Sequence, residues 1–382
     1  MSKWEMVRLG DICSLKSGNS LAEEIVLKDG EIPYIKVSDL SIENNETRIT
    51  RSTRYAYRKD VGRQLFPVGT TIFPKRGGAI ATNKKRLTTC EICADLNIMG
   101  VIPGSKILPE FLYFYFQGVD LGMLGSGSSV PQINNGDIAP LQISLPPLET
   151  QKHIAKTLDT AAELLAKRKQ QMVEMDNLIK SVFYDMFGDP ITNPQKWKLV
   201  RLGDIGELNS GGTPTRTNRE YFLGDIDWYS AGELNERYLK GSKEKLTEEA
   251  ISNSAAKVFK KGSMLIGMYD TAAFKLGILT DNSSSNQACA NIDVKKNMAN
   301  IEWLYDCAQI MREYFLKNRR GVRQKNLNLG MIRSFEIPLP PLILQNQFAS
   351  IVTKIEEQKA LVKKTIDETQ YLFDSLMSKY FD

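Results

Sequence analysis

The chain repeats itself, and this repeat constrains the fold more than any other feature. The segment Trp4–Gly18 aligns with Trp197–Gly211 and is identical to it at ten of fifteen positions. Nearly the same offset pairs Ile143–Leu148 with Ile337–Leu342, and both of these segments contain a double proline. Self-similarity at a fixed period is the signature of a duplicated structural unit. The sequence therefore predicts one module of about 194 residues that is used twice.

Between these flanking motifs the two copies diverge almost completely. A common scaffold with a variable surface is what a recognition protein needs when each copy must bind a different target. Plain drift of two duplicated domains is the alternative, but it does not explain why the flanks stayed alike. The divergence therefore favours two domains with the same framework and different binding surfaces.

After each double proline the sequence continues without glycine or proline and with apolar residues at alternating spacings of four and three. This is a heptad pattern, and each helix is predicted to run about 35 residues, on the order of 50 Å. Because one small domain cannot bury so long a helix, we expect the two helices to pack on each other in antiparallel orientation. The predicted seam consists of Ile154, Leu158, Leu165, Met172 and Ile179 in the first helix and Phe348, Val352, Ile355, Val362, Ile366 and Phe373 in the second.

A cation interrupts each predicted seam, Arg168 in the first helix and Lys359 in the second. Both side chains are long enough to reach out of an apolar seam, to solvent or to a partner protein. A tolerated defect in the seam is the other explanation. The sequence leaves these two explanations open.

These patterns predict a mixed α/β (α+β) fold in five segments. Short strands and helices are expected in two globular domains, residues 1–148 and 197–342. The long helices are expected at 149–188 and 343–382. A linker at 189–196 is marked by glycine and proline, which commonly end helices.

Composition excludes several classes of function. The chain has 50 Lys and Arg against 45 Asp and Glu, a net charge of +5 that permits nucleic-acid binding. No stretch approaches the roughly 20 apolar residues that cross a bilayer, so a soluble cytoplasmic protein is expected. A single histidine, His153, and five scattered cysteines argue against histidine catalysis and a disulfide framework. Cys90 and Cys93 form a lone CxxC pair without a second pair at zinc-finger spacing, so no metal site is assigned.

The motifs of several enzyme classes are also missing from the sequence. There is no GxxxxGK[ST] phosphate loop and no Asn- or Asp-Pro-Pro-aromatic motif of an adenine methyltransferase. The glycine-rich segment 125–129 does not open a convincing helix after a strand, as a dinucleotide-binding loop would. No catalytic residue is therefore assigned, and the chain is predicted to bind its target without acting on it.

Basic residues cluster where the two copies diverge. Lysine and arginine hold phosphates, arginine reads guanine, and asparagine or glutamine reads adenine, so such clusters are typical of DNA-binding loops. A merely solvated charged face is the alternative. The candidate DNA-binding residues are Lys75, Arg76, Lys84, Lys85 and Arg86 in the first copy and Arg216, Arg219, Arg319, Arg320, Arg323, Gln324 and Lys325 in the second.

The flanking motifs resemble those of a known family. Each unit opens with Trp-x-x-Val-x-Leu-Gly-Asp-Ile and closes with Ile-x-Leu-Pro-Pro-Leu, a glutamine (Gln151 or Gln345) and a long helix. Over essentially the whole chain this resembles the specificity subunit of type I restriction-modification systems. The resemblance implies two target-recognition domains, each reading one half of a split asymmetric DNA site. They would be separated by an antiparallel coiled coil, with a pseudo-two-fold internal repeat.

The resemblance also implies partners and cofactors. Two methyltransferase subunits would dock on the helix pair, and restriction-translocase subunits would join them on double-stranded DNA for adenine-N6 methylation or cleavage. S-adenosylmethionine would sit in the methyltransferase subunits and ATP in the restriction subunits, with no cofactor in this chain. The helix pair would act as a ruler that sets the spacing of the half-sites.

Other functions stay open at this point. One is a specificity-type subunit of a related methylation-only system, because the residues that distinguish it lie in its partners. Another is a coiled-coil assembly protein whose domains bind protein and not DNA. A self-sufficient methyltransferase is disfavoured by the missing catalytic motif.

Overall fold

A computed structural model describes residues 4–125, 130–317 and 326–381. The chain forms two compact units, one of residues 1–169 with 364–382 and the other of residues 170–363. Each unit therefore combines a globular domain with the beginning of the long helix that follows it and the end of the other long helix.

The first unit contains three sheets. Its strands are β1 (Glu5–Arg8), β2 (Cys13–Ser17), β3 (Ile32–Ile35), β4 (Arg48–Ile49), β5 (Tyr55–Ala56), β6 (Thr71–Pro74), β7 (Arg86–Thr88), β8 (Cys93–Ala94), β9 (Ile98–Pro103) and β10 (Gln142–Leu145). Its helices are α1 (Leu9–Ile12), α2 (Arg58–Val61), α3 (Pro109–Gly118), α4 (Leu121–Leu124), α5 (Asn135–Ile138) and the first part of α6 (Leu148–Phe187). The sheet orders are β2-β9-β6-β7-β4, β5-β3-β8 and β1-β10.

The second unit repeats this arrangement. Its strands are β11 (Lys198–Arg201), β12 (Gly206–Ser210), β13 (Ile226–Tyr229), β14 (Tyr238–Leu239), β15 (Glu244–Leu246), β16 (Met264–Gly267), β17 (Leu276–Leu279), β18 (Ser284–Ser285), β19 (Cys289–Val294) and β20 (Glu336–Leu339). Its helices are α7 (Leu202–Ile205), α8 (Glu248–Ser252), α9 (Ile301–Ile310), α10 (Arg312–Leu316), α11 (Leu329–Ser334) and the first part of α12 (Leu342–Phe381). The sheet orders are β12-β19-β16-β17-β14, β15-β13-β18 and β11-β20.

The two domains have the same topology even where their sequences diverge. In each, a five-stranded sheet, a three-stranded sheet and a two-stranded ribbon follow one another in equivalent order. The predicted mixed α/β fold with an internal repeat is therefore confirmed. The repeat extends through the middle of each copy, where the two amino-acid sequences diverge almost completely.

The flanking motifs of the sequence close each domain on itself. The opening strand β1 pairs antiparallel with the closing strand β10, with Val7 opposite Ile143, and β11 pairs with β20 in the same way. Leu9 follows at once and is fully buried. Next to it, a Cβ on Gly10 would lie 3.0 Å from the Cβ of Ala139, so a larger residue would require the neighbouring chain to shift. The motifs are alike because both copies need this same closure.

A buried glutamine fixes the start of each long helix. Gln345 is fully buried; its Nε2 donates to the carbonyl of Pro340 at 2.8 Å, and its Oε1 accepts from the backbone N–H of Asn300 at 2.8 Å. Gln151 makes the equivalent bonds in the first unit, to Pro146 and Leu108. The glutamine of the sequence motif therefore links each long helix to its globular domain by buried hydrogen bonds.

Replacing Gln345 with alanine is expected to lower the free energy of unfolding by about 3 kcal/mol, because a buried donor and a buried acceptor lose their partners. Urea unfolding followed by tryptophan fluorescence measures this loss. Gln358, which is exposed on the same helix, provides the control. If Gln358→Ala were as damaging as Gln345→Ala, helix propensity and not the buried bonds would account for the effect.

The two long helices pair antiparallel, as predicted, and each has 40 residues rather than about 35. In the first unit, Ile154 and Leu158 near the start of α6 belong to the same core as Phe373 near the end of α12. In the second unit, Phe183 near the end of α6 packs against Phe348 near the start of α12, with ring centroids 5.5 Å apart. All eleven seam residues named from the heptads are buried or half-buried.

The two cations that interrupt the seam have partners within the helix pair. Arg168 donates from Nη1 to the hydroxyl of Thr369, a buried residue of α12. The Nζ of Lys359 lies 2.6 Å from Asp176 of α6 and 2.8 Å from Glu356 of its own helix. A polar pair in a coiled-coil seam specifies register. These side chains thus add cross-helix hydrogen bonds and need no partner protein to be satisfied.

One arginine joins the second domain to its helices. Arg237, which immediately precedes β14, has a side chain only 8% exposed, and it lies over the ring of Tyr305 at 4.3 Å. Its guanidinium nitrogens contact Asp306 at 2.5 Å and Glu302 at 3.1 Å, both on α9, and Glu356 on α12 at 3.4 Å. Because Glu356 also binds Lys359, this ionic network runs without a break from the sheet edge to both long helices.

The first domain has a simpler counterpart of this contact. Arg48, at the start of β4, makes a two-pronged ion pair with both carboxylate oxygens of Asp159 on α6 at 3.0 Å. Both of these side chains are more than a third exposed. An edge-strand arginine therefore reaches the long helix in each unit, but only the second unit buries it.

Candidate nucleic-acid interface

The first candidate cluster lies where β6 leaves the five-stranded sheet. The strand ends at Pro74, and Lys75 and Arg76 follow it into a 3-10 helix at Gly77–Thr82. Gly77 has φ of +66°, which favours glycine, and a Cβ at Gly77 or Gly78 would meet no atom within 4 Å. This turn therefore projects into open space.

Lys75 and Arg76 point in opposite directions. Lys75 is buried, and its Nζ donates to the hydroxyl of Ser17 at 2.7 Å. Burial and the neighbouring Arg76 lower the pKa of Lys75. Arg76 is exposed, and its backbone bridges to that of Gln132. Of the two predicted cations, Arg76 is the one that the fold presents to a ligand.

The run Lys84–Arg86 mostly serves the interior of the domain. Lys85 is buried, donating to the carbonyl of Val119 at 2.6 Å and to the side chain of Asn83 at 2.8 Å, and burial lowers its pKa to about 8. Arg86 donates to the backbone carbonyl of Leu40 at 2.8 Å. The sequence placed Lys85 among the DNA-contacting residues, whereas the structure places its ammonium group inside the protein.

Lys84 is half-buried at the edge of the same run. Its Nζ donates to the hydroxyl of Ser41 at 2.6 Å. A single neutral partner leaves two of the three ammonium protons able to meet a phosphate. Lys84 therefore suits a phosphate contact better than Lys85 does.

Arg216 stacks over two aromatic rings in the second domain. Its guanidinium carbon is 4.5 Å from the ring centroid of Phe222 and 5.1 Å from that of Trp228. Both terminal nitrogens bond the carboxylate of Glu244, one of them at 2.9 Å. This fork is already occupied, so Arg216 can reach a base only after Glu244 releases it. Arg219, at the start of the 3-10 helix Arg219–Phe222, is exposed.

The remaining predicted DNA-binding residues lie outside the described residues. They are Arg319, Arg320, Arg323, Gln324 and Lys325. In the sequence they stand directly before Asn326, where the described chain resumes.

Two amide segments beside the ends of the central strands β6 and β16 were missed from the sequence. Gln132 and Asn134 follow the turn region in the first copy, with the Nε2 of Gln132 donating to the Oδ1 of Asn134 at 2.6 Å. Asn326 and Asn328 occupy the equivalent places in the second copy, where Asn328 caps α11. The signal was the repeated amide-aliphatic-asparagine pattern, which a search for charge overlooks. Amides recognise adenine by paired hydrogen bonds, so these two segments are further candidates for reading a base.

Two features are absent from the part of the chain that the structure describes. Among residues 4–125, 130–317 and 326–381, no three or more His, Cys, Asp or Glu side chains come together as a metal site would require. No helix in these ranges is long and apolar enough to cross a membrane.

Comparison with known proteins matches most of the chain to one family. The family model described as "Type I restriction modification DNA specificity domain" matches residues 1–175 and again residues 194–370. The MjaIX specificity subunit of a type I restriction enzyme from Methanocaldococcus jannaschii is 21% identical over 98% of this chain and 92% of its own. The MjaVIII specificity subunit of the same organism is 22% identical over 98% and 91%.

Solved structures agree on the fold. The S subunit of a type I restriction-modification system from M. genitalium aligns over 100% of this chain and 96% of its own, with a TM-score of 0.63 and 14% identity. A chain from a study of complex assembly of the type I system aligns over 99% and 97%, with a TM-score of 0.57 and 18% identity. The repeated family match, one per structural repeat, means that the chain belongs to the family of type I restriction-modification DNA specificity domains.

Proposed function

We propose that this chain is the DNA-reading subunit of a type I restriction-modification enzyme and recognises a bipartite, asymmetric site. The observation that carries the proposal is the pair of domains with one topology and different exposed side chains. Two domains of the same shape suit two stretches of the same duplex, and different surface residues suit two different sequences. Family membership supports DNA as the ligand.

Direct contacts with DNA come from exposed groups in this proposal. Arg76, Lys84 and Arg219 supply positive charge for phosphates or guanines, and the amides of Gln132 and Asn326 supply adenine-reading groups. Lys75 and Lys85 are buried and hydrogen-bond within the first domain, so they hold its fold and do not contact DNA directly. The segment 319–325 contributes further cations by its sequence alone.

In this role the chain is a non-catalytic member of a larger complex that works in the cytoplasm. Two methyltransferase subunits bind it, because the closing ribbon and the buried glutamine at the start of a long helix each occur twice. Restriction-translocase subunits complete the enzyme. S-adenosylmethionine belongs to the methyltransferase subunits and ATP to the restriction subunits. The reaction directed by this chain is adenine-N6 methylation of the site, or cleavage when the site is unmodified.

The test is the methylome of a methylation-deficient host that carries this chain with its own methyltransferase subunits. We expect N6-methyladenine in one motif made of two specific halves around an unread spacer, and no such motif when the methyltransferase subunits are expressed alone. Methylation at a continuous motif, or the same motif without this chain, would contradict the proposal.

A binding measurement separates this function from that of a protein-binding assembly module. The purified complex of this chain with its methyltransferase subunits should bind duplex DNA with an affinity that falls steeply with salt, because phosphate contacts release counterions. An assembly module would show no such DNA binding at any salt concentration.

A further inference from the structure

Equivalent positions of the two recognition domains can be assigned from backbone hydrogen bonds. The carbonyl of Lys75, just after β6, accepts from the N–H of Ile133 at 2.9 Å. The carbonyl of Met268, just after β16, accepts from the N–H of Leu327 at 2.8 Å. These bonds tie the same strand end to the same amide segment, so Lys75 and Met268 are structural counterparts.

The next residue in each copy is the one that faces outward. Lys75 and Met268 are both buried, 7% and 3% exposed, and support the sheet from below. Arg76 and Tyr269 follow them and are both exposed, Tyr269 by 40%. The backbone is therefore the same at the ends of β6 and β16, and the exposed side chain that follows differs.

The surroundings of this position are alike in both domains and suit a base edge. Gln132 lies beside Arg76 through a backbone bridge, with Asn134 two residues on, and Asn326 and Asn328 are their counterparts in the second domain. Each position thus has amide groups on one side. A side chain that differs between the copies, beside an amide-bearing segment that both copies have, is an arrangement for reading different bases in a common frame.

Arg76 is also free to bind a base. Among the described residues its guanidinium has no ion-pair or hydrogen-bond partner, unlike that of Arg216, which is held by Glu244. The two glycines after Arg76 leave open space where a side chain would otherwise stand. Arginine with a free fork binds the O6 and N7 of guanine through two hydrogen bonds.

We propose that Arg76 and Tyr269 are the paired specificity-determining residues of the two domains, Arg76 requiring a guanine in the first half-site and Tyr269 a thymine in the second. This inference rests on the proposed function and adds the residues that make the halves differ. The ring of Tyr269 offers an apolar face to the methyl group of thymine, a contact that aromatic side chains make in the major groove. Tyr269 cannot replace the two-pronged donation of an arginine to guanine.

The test compares methylomes of hosts that carry the chain with its methyltransferase subunits. Arg76→Ala is expected to reduce discrimination at one guanine of the first half-site by about tenfold or more and to leave the second half unchanged. Tyr269→Ala should relax one thymine of the second half-site and leave the first unchanged. Tyr269→Phe should keep the wild-type motif, because the ring and not the hydroxyl makes the contact.

Two controls keep the result interpretable. Arg63→Ala and Tyr57→Ala remove an exposed arginine and an exposed tyrosine of the first globular domain, away from both positions and from the long helices, and we expect the motif to stay the same. Binding of the purified complex to duplexes with single-base replacements gives the same comparison when methylation in the cell is weak. A melting temperature equal to that of the wild type confirms that each variant is folded.

The outcomes separate this inference from the proposed function. If the wild type yields a bipartite motif but neither variant relaxes a base, Arg76 and Tyr269 are not specificity residues. Uniform weakening at all sites would assign them to phosphate contacts and would also overturn the inference. If the wild type yields no bipartite motif, the proposed function itself fails.

Discussion

Replacing Arg237 with methionine is expected to lower the free energy of unfolding by about 4 kcal/mol at pH 8. The reason is that the arginine is the shared partner of three carboxylates, two of which, Glu302 and Asp306, lie deep between sheet and helix. Removing one member of a buried ionic network leaves the opposite charges uncompensated. Tryptophan fluorescence during urea unfolding is suitable, because Trp197, Trp228 and Trp303 all belong to this unit.

The same variant should show a characteristic dependence on pH. Burial raises the pKa of Asp306 to about 6 and also raises the pKa of Glu302, and the Oδ2 of Asp306 has no hydrogen-bond partner in the described chain. A carboxyl group whose pKa is raised by folding favours the folded state at low pH, and this contribution is lost as pH rises through the raised pKa. Without Arg237 these pKa values rise further, so the deficit of the variant is expected to be smaller at pH 5 than at pH 8.

Two comparisons test the cause. Arg48→Met removes the half-exposed counterpart in the first unit, and its loss should stay near 1 kcal/mol or less, because exposed ion pairs contribute little. Combining Arg237→Met with Glu302→Gln and Asp306→Asn should recover much of the stability at pH 8, because no buried charge is then left alone. A loss that is the same at pH 5 and pH 8 would show that packing over Tyr305, and not charge, explains the effect.

The parts of the fold that the sequence predicted are those with a local signature. The heptads mark the long helices because the spacing of four and three needs only one chain segment to be recognised, as from Ile154 to Ile179. The flanking motifs marked the repeat because both copies need the same ribbon and the same buried glutamine. The common topology of the divergent middles had no such signature. Strands such as β4 and β14 are two residues long, and their partners lie tens of residues away in the chain.

The candidate site shows the same limit. Charge alone placed Lys75, Lys85 and Arg76 in one group, but the fold buries the two lysines and exposes the arginine. Whether a lysine faces solvent or a serine hydroxyl depends on a strand register that only the fold supplies. Gln132 and Asn326 were missed because a neutral amide stands out only when the sheet edge behind it is known.

Phe348→Ala is the second substitution with a large expected effect, a loss of about 4 kcal/mol in the free energy of unfolding. Phe348 is fully buried at the start of α12, and its ring centroid lies 5.5 Å from those of Phe183 and Phe187 on α6. Phe187 in turn contacts Trp303 of the globular domain at 6.4 Å. The ring of Phe348 thus lies at the contact between both long helices and the globular domain. Its removal leaves a cavity among the rings of Phe183, Phe187 and Trp303.

A matched control for this substitution lies five residues earlier on the same helix. Ile343 is 73% exposed, so Ile343→Ala should change the free energy of unfolding by about 0.5 kcal/mol or less. Urea unfolding of both variants, followed by tryptophan fluorescence, gives the comparison. If both variants lost similarly little free energy of unfolding, the aromatic cluster would not be needed to attach the domain to the helix pair. In that case the ionic network around Arg237 and the buried hydrogen bonds of Gln345 would be the main links between domain and helix.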